Sequence, residues 1–127
     1  MKITPRTLTA PDGRTLWSLT VGRVYEVLGI EADDYRILND ELAQPDGNRP
    51  FLFEPECFDI VDPREPDFWP CDKGEDGERY CYPPEWSRVG FFEDFHDGDA
   101  RVVAIFWDGV KKYYPDTWRE RCRYVSS

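Results

Sequence analysis

Apolar residues fall in short runs over the first half of the chain and at helical spacing only near its end. Within residues 24–30, positions 24 to 28 alternate imperfectly, and β-branched and aromatic side chains dominate, which predicts a strand. Ala32, Asp33 and Asp34 form a polar turn, and residues 35–40 a second strand of similar length, so the two read as a hairpin. Phe51, Leu52 and Phe53 make a third strand. Pro55, Glu56 and Cys57 are too few for an α-helix and suit one 3₁₀ turn. Phe58, Asp59, Ile60 and Val61 alternate and make a fourth strand, and residues 1–4 add a short edge strand. Tyr80, Cys81 and Tyr82, stopped by Pro83 and Pro84, are placed to pair with a sheet edge that would otherwise stay open.

The period changes late in the chain. Over residues 99–114, Val103, Phe106, Trp107, Val110, Tyr113 and Tyr114 share one stripe, which predicts the one long helix. Asp97 or Asp99 caps its start, Lys111 and Lys112 suit its last turns, and Pro115 stops it. Asp116 or Thr117 caps a further short helical segment with Trp118, Cys122 and Val125 on one side. Residues 67–78 read as irregular, and residues 42–50 as a loop.

Leu19-Thr20-Val21-Gly22 leading into Tyr25-Glu26-Val27, then Tyr35-Arg36-Ile37, then Phe58-Asp59-Ile60-Val61 after a tight turn, resembles a small SH3-like barrel. The expected fold is therefore mainly β. Residues 1–63 form the SH3-like barrel, and residues 64–127 a C-terminal extension with a short strand and one longer helix, packed on the barrel as one unit. Such barrels host many unrelated functions, so the resemblance speaks to fold alone.

Charge narrows the partners. Residues 1–24 hold four basic and one acidic side chain, a balance of +3; residues 25–100 carry −16 and residues 101–127 +3, for −10 in total. An acidic centre repels phosphate, which disfavours nucleic acid and favours a basic protein partner. No apolar run approaches the ~20 residues that span a bilayer, and residues 1–14 lack a signal-peptide core, so the expected location is the cytoplasm and the four cysteines are expected as reduced thiols.

Catalytic and metal patterns are weak. Cys71 and Cys81 are too far apart in sequence for the close pair of a structural zinc site. His96 is the only histidine, hence the only imidazole for a Cys–His nucleophile. Glu93, Asp94, Asp97 and Asp99 do not follow the calcium-loop spacing and read as acids decorating a helix start. No catalytic residue, metal ligand or cofactor is assigned. The favoured constellation is Trp86, Phe91, Phe92 and Phe95 interleaved with Glu85, Glu93, Asp94 and Asp97: rings and acids that would bind an Arg- or Lys-bearing partner, or rings that anchor the C-terminal arm.

A small, acidic, aromatic-rich chain without a catalytic signature looks, by general type, like the bacterial immunity proteins that neutralise a toxin. That likeness implies a non-enzymatic protein covering the active site of a basic toxin. Two other readings stay open: an SH3-like adaptor taking a peptide at Tyr25, Tyr35 and the loop near Trp69, and a small Cys–His enzyme.

Overall fold

The computed structural model describes residues 1–16, 18–40 and 49–121. Among these described residues eight strands come first: β1 (Lys2–Pro5), β2 (Tyr25–Glu26), β3 (Gly29–Glu31), β4 (Asp34–Leu38), β5 (Pro50–Phe53), β6 (Phe58–Asp62), β7 (Cys71–Lys73) and β8 (Arg79–Cys81). Three helices follow: α1 (Phe91–His96), α2 (Ala100–Tyr113) and α3 (Pro115–Arg121). Single 3₁₀ turns lie at Pro55–Cys57 and Pro84–Trp86.

The strands do not close into an SH3-like barrel. They form two antiparallel sheets, one ordered β2-β1-β6 and the other β5-β4-β3-β8-β7, in a mixed α/β fold. The expected strand over residues 24–30 is split: Tyr25 pairs with Ile3 in the small sheet, and Ile30 pairs with Tyr35 in the large one. This segment changes sheets at Val27 and Leu28; among the described residues no ladder joins β2 or β6 to β5 or β7 to close a barrel, and the two sheets stack instead. Nor is β1 an edge strand. It lies between β2 and β6.

The hairpin of β3 and β4 follows the sequence. Glu31 pairs with Asp34, leaving a two-residue loop of Ala32 and Asp33, with φ of 49° and 68°. Positive φ at both positions is the turn whose twist matches paired strands.

The large sheet buries residues on both faces, and β4 shows why. Tyr35 and Ile37 point into a core shared with Ile3, Tyr25, Phe58 and Trp69 from the other sheet and its loops. Leu38 points the other way, into a core of Tyr82, Trp86, Phe91, Phe92, Phe95, Phe106, Val110 and Tyr114. The period-2 alternation of one strand thus feeds two cores, and the layers run small sheet, large sheet, helices.

Helix α2 matches the expected amphipathic stripe. Asp99 Oδ1 accepts from the backbone N–H of Arg101 (3.0 Å) and Val102 (3.3 Å), satisfying two donors of the first turn. Gly109 lets the helix approach the Trp86 indole, which a Cβ there would meet at 2.7 Å. Among the described residues no helix is long and apolar enough to cross a membrane.

Cys71 and Cys81 are joined in a disulfide, against the expectation of reduced thiols. The ten-residue separation hides a direct pairing: β7 and β8 form a hairpin whose register sets Cys71 opposite Cys81, with Cα atoms 4.3 Å apart. Cys57 is a buried free thiol, and Cys122 lies outside the described residues.

Candidate functional site

Helix α1 accounts for the aromatic constellation. Phe91, Phe92 and Phe95 stand at i, i+1 and i+4, which puts all three on one face of a short helix. That face turns inward: Trp86, Phe91, Phe92 and Phe95 are 1%, 2%, 5% and 3% exposed. Trp86 stacks on Phe106 at 4.7 Å and Phe95 meets Phe106 edge-on at 5.0 Å. The four rings expected to touch a partner are therefore core. Each contributes far more by burial here than it would half-exposed on a polar surface. The peptide groove is corrected for the same reason, because Tyr25, Tyr35 and Trp69 are buried between the two sheets.

The acids of that constellation face solvent, with different commitments. Glu85 accepts from the Tyr113 hydroxyl (2.8 Å) and pairs with Lys112 (3.4 Å), which ties the 3₁₀ turn to the end of α2. Asp94 pairs with Arg88 at 2.8 Å. Glu93 and Asp97 are exposed and have no ion-pair partner among the described residues.

Between α1, the 3₁₀ turn and the β7–β8 hairpin lies a cleft of about 480 Å³. Its floor is the edges of Tyr82, Trp86, Phe91 and Phe92; its rim carries Glu31, Asp72, Tyr80, Arg88 and Glu93. Period-2 geometry builds one wall, since Asp72 and Tyr80 are paired across the hairpin and share its cleft-facing side.

Under the floor sits Arg36, a buried cation. It donates to the Tyr82 hydroxyl, the Pro50 carbonyl and Glu31 Oε1, each at 3.0 Å, and lies 3.9 Å from the Phe92 ring centroid. The Tyr82 hydroxyl donates in turn to Glu31 at 2.8 Å. Burial pushes the Tyr82 hydroxyl well above the ordinary tyrosine value, so it stays a donor. Glu31 is thus neutralised by Arg36, and Arg88 is spent on Asp94. Among the described residues, the rim leaves Asp72 and Glu93 without an ion-pair partner, in the cleft that the 37%-exposed Tyr80 also lines.

Two carboxylates and an open aromatic face suit a guanidinium or ammonium group. They supply no nucleophile beside a base. His96 lies elsewhere, stacked on Phe51 at 4.8 Å and 3.2 Å from the Pro50 carbonyl. Burial holds its imidazole below the usual histidine value. The sequence marks Glu93 but not Asp72, because residues 71–73 lack the apolar alternation that marks a strand, and it marks Tyr80 as a strand residue without showing what lies opposite it. No protein-family model, characterised protein or solved structure matches this chain.

Proposed function

We propose that this chain is a non-enzymatic protein-binding module of the immunity type, which neutralises a basic toxin protein by seating an Arg or Lys side chain of the toxin in the cleft. The observation that carries the reading is the pair of carboxylates, Asp72 and Glu93, without an ion-pair partner among the described residues, in the cleft that exposed Tyr80 also lines. The −16 balance of residues 25–100 supplies the long-range field that steers such a partner and excludes nucleic acid. Contact comes from carboxylates and the Tyr80 face, with the buried rings as a rigid floor.

The test is titration against the product of the adjacent reading frame at two salt concentrations. Association slows with added salt, and Asp72→Lys with Glu93→Lys weakens binding by at least about thirtyfold, the equivalent of about 2 kcal/mol for charges lost from a desolvated pair. Glu56→Lys with Asp59→Lys makes the same charge change at exposed positions in and beside β6 and serves as control. An acidic partner, or equal binding by the two double variants, refutes the reading.

A further inference from the structure

The β7–β8 hairpin carries a second constellation on the side away from the cleft. Cys71 is exposed, whereas Cys81 is fully buried in the core between the sheets. Arg79 donates to both carboxylate oxygens of Glu65, at 2.9 and 2.6 Å. The same guanidinium aims Nη2 at both sulfurs, 3.8 Å from Cys71 and 3.5 Å from Cys81. All three residues of β7 are exposed, so this strand owes its place to its pairing with β8 and to the disulfide rather than to apolar burial.

These features divide the roles of an exchange reaction. A bond to be attacked needs one sulfur open to solvent, and Cys71 provides it. The other sulfur must leave as a thiolate, and a thiolate in an apolar core is costly unless a cation meets it. Arg79 is already there. A metal would need the donors of Glu65, Cys71 and Cys81, which converge within 4.8 Å, but both Glu65 oxygens are engaged by Arg79, the cation that already serves this cluster.

We propose that Cys71–Cys81 is an exchangeable disulfide, a thiol–disulfide site whose leaving group is Cys81 and whose substrate is a small or protein-borne thiol. An incoming thiolate attacks Sγ of Cys71; the Cys71–Cys81 bond breaks, a mixed disulfide forms at Cys71, and its electron pair leaves on Cys81, held by Arg79. A second external thiolate attacks the incoming sulfur of the mixed disulfide and releases Cys71 as thiolate. Two external thiols become one disulfide, two electrons pass to the protein, and two protons leave the external thiols and end on Cys71 and Cys81 or in solvent. The site stands whether or not the cleft takes a partner.

The experiment uses the full chain with Cys122→Ser, leaving buried Cys57 as the other thiol; burial pushes that thiol up and makes it slow to react. The disulfide is opened with reduced glutathione, quenched with iodoacetamide and counted by intact mass, with near-ultraviolet circular dichroism reporting the fold. Opening is expected to be reversible with the fold kept. Arg79→Gln is expected to slow it about tenfold and to make the bond harder to reduce, because the leaving thiolate loses its cation. Glu65→Gln frees the guanidinium for the sulfurs and is expected to speed opening about threefold. A purely structural disulfide behaves differently: both substitutions loosen the hairpin and shift opening in the same direction, and that result overturns the proposal. So does opening only upon unfolding, or purification of a dithiol form that holds one zinc lost on Cys71→Ser.

Discussion

Replacing Tyr114 by Phe tests whether the helical layer is tied to the large sheet by hydrogen bonds as well as by packing. The Tyr114 side chain is 1% exposed. Its hydroxyl accepts from the Trp69 indole N–H at 2.8 Å and donates to the Leu28 carbonyl at 2.8 Å. One oxygen thus joins the end of α2, the loop before β7 and the segment where the chain changes sheets. Tyr114→Phe keeps the ring and its packing but strands a buried donor and a buried acceptor. Each unsatisfied group costs about 1–3 kcal/mol, so the pair should cost about 3 kcal/mol after relaxation. With a urea m-value of about 2 kcal/mol/M for a chain of this size, the midpoint falls by roughly 1.5 M. The assay is equilibrium urea unfolding followed by tryptophan fluorescence and far-ultraviolet circular dichroism in parallel. Tyr113→Phe is the control, because its hydroxyl bonds exposed Glu85 at the surface and should cost less than about 0.5 kcal/mol. Should Tyr114→Phe match that control at an unchanged m-value, the bridge does not hold the layers together.

Phe106→Ala removes a fully buried ring at the centre of the helical core and should cost about 3–5 kcal/mol in the same urea assay. Gly109→Ala sets a methyl against the Trp86 indole at 2.7 Å and should destabilise by about 1–3 kcal/mol despite the better helix propensity of alanine, while Ala104→Gly on the exposed face should cost about 1 kcal/mol. Alkali should weaken the fold. Burial, then the hydrogen bond to Asp40, raises the Tyr25 hydroxyl from its ordinary value of 10.0 to about 12, and burial also raises Tyr82 and Tyr114. The unfolded chain releases these protons first, so their contribution is complete below about pH 10 and is lost as pH climbs through the folded values. Urea midpoints should accordingly fall between about pH 10 and pH 12, and less steeply in Tyr25→Phe.

Local signals were legible where one interaction range decides the outcome. Helix α2 carries its stripe and cap within its own residues and its proline stop just beyond them, and the Ala32–Asp33 turn is marked by the adjacent aspartates Asp33 and Asp34. The stacking of two sheets was not legible, because residues 24–30 read as one strand, and only their distant partners, Ile3 and Tyr35, divide them. The alternation over residues 58–61 turned only Phe58 inward; Ile60 and Val61, on edge strand β6, stay about half exposed. At the candidate site, the i, i+1, i+4 spacing of Phe91, Phe92 and Phe95 was a readable sign of a buried helical face, outweighed by the acids between them. The cleft wall was unreadable, since Cys71, Asp72 and Lys73 form a strand only through β8.

The pairing of Ile30 with Cys81 also sets a schedule. On the ribosome, β3 emerges long before β8, and the apolar face that Leu28 and Leu38 present waits still longer for α1 and α2. Until then the nascent chain displays an open strand edge and a bare apolar surface, the two features that invite misassembly. Productive folding therefore awaits the last third of the chain, and a stall in translation between β6 and β8 leaves a polypeptide dependent on chaperones.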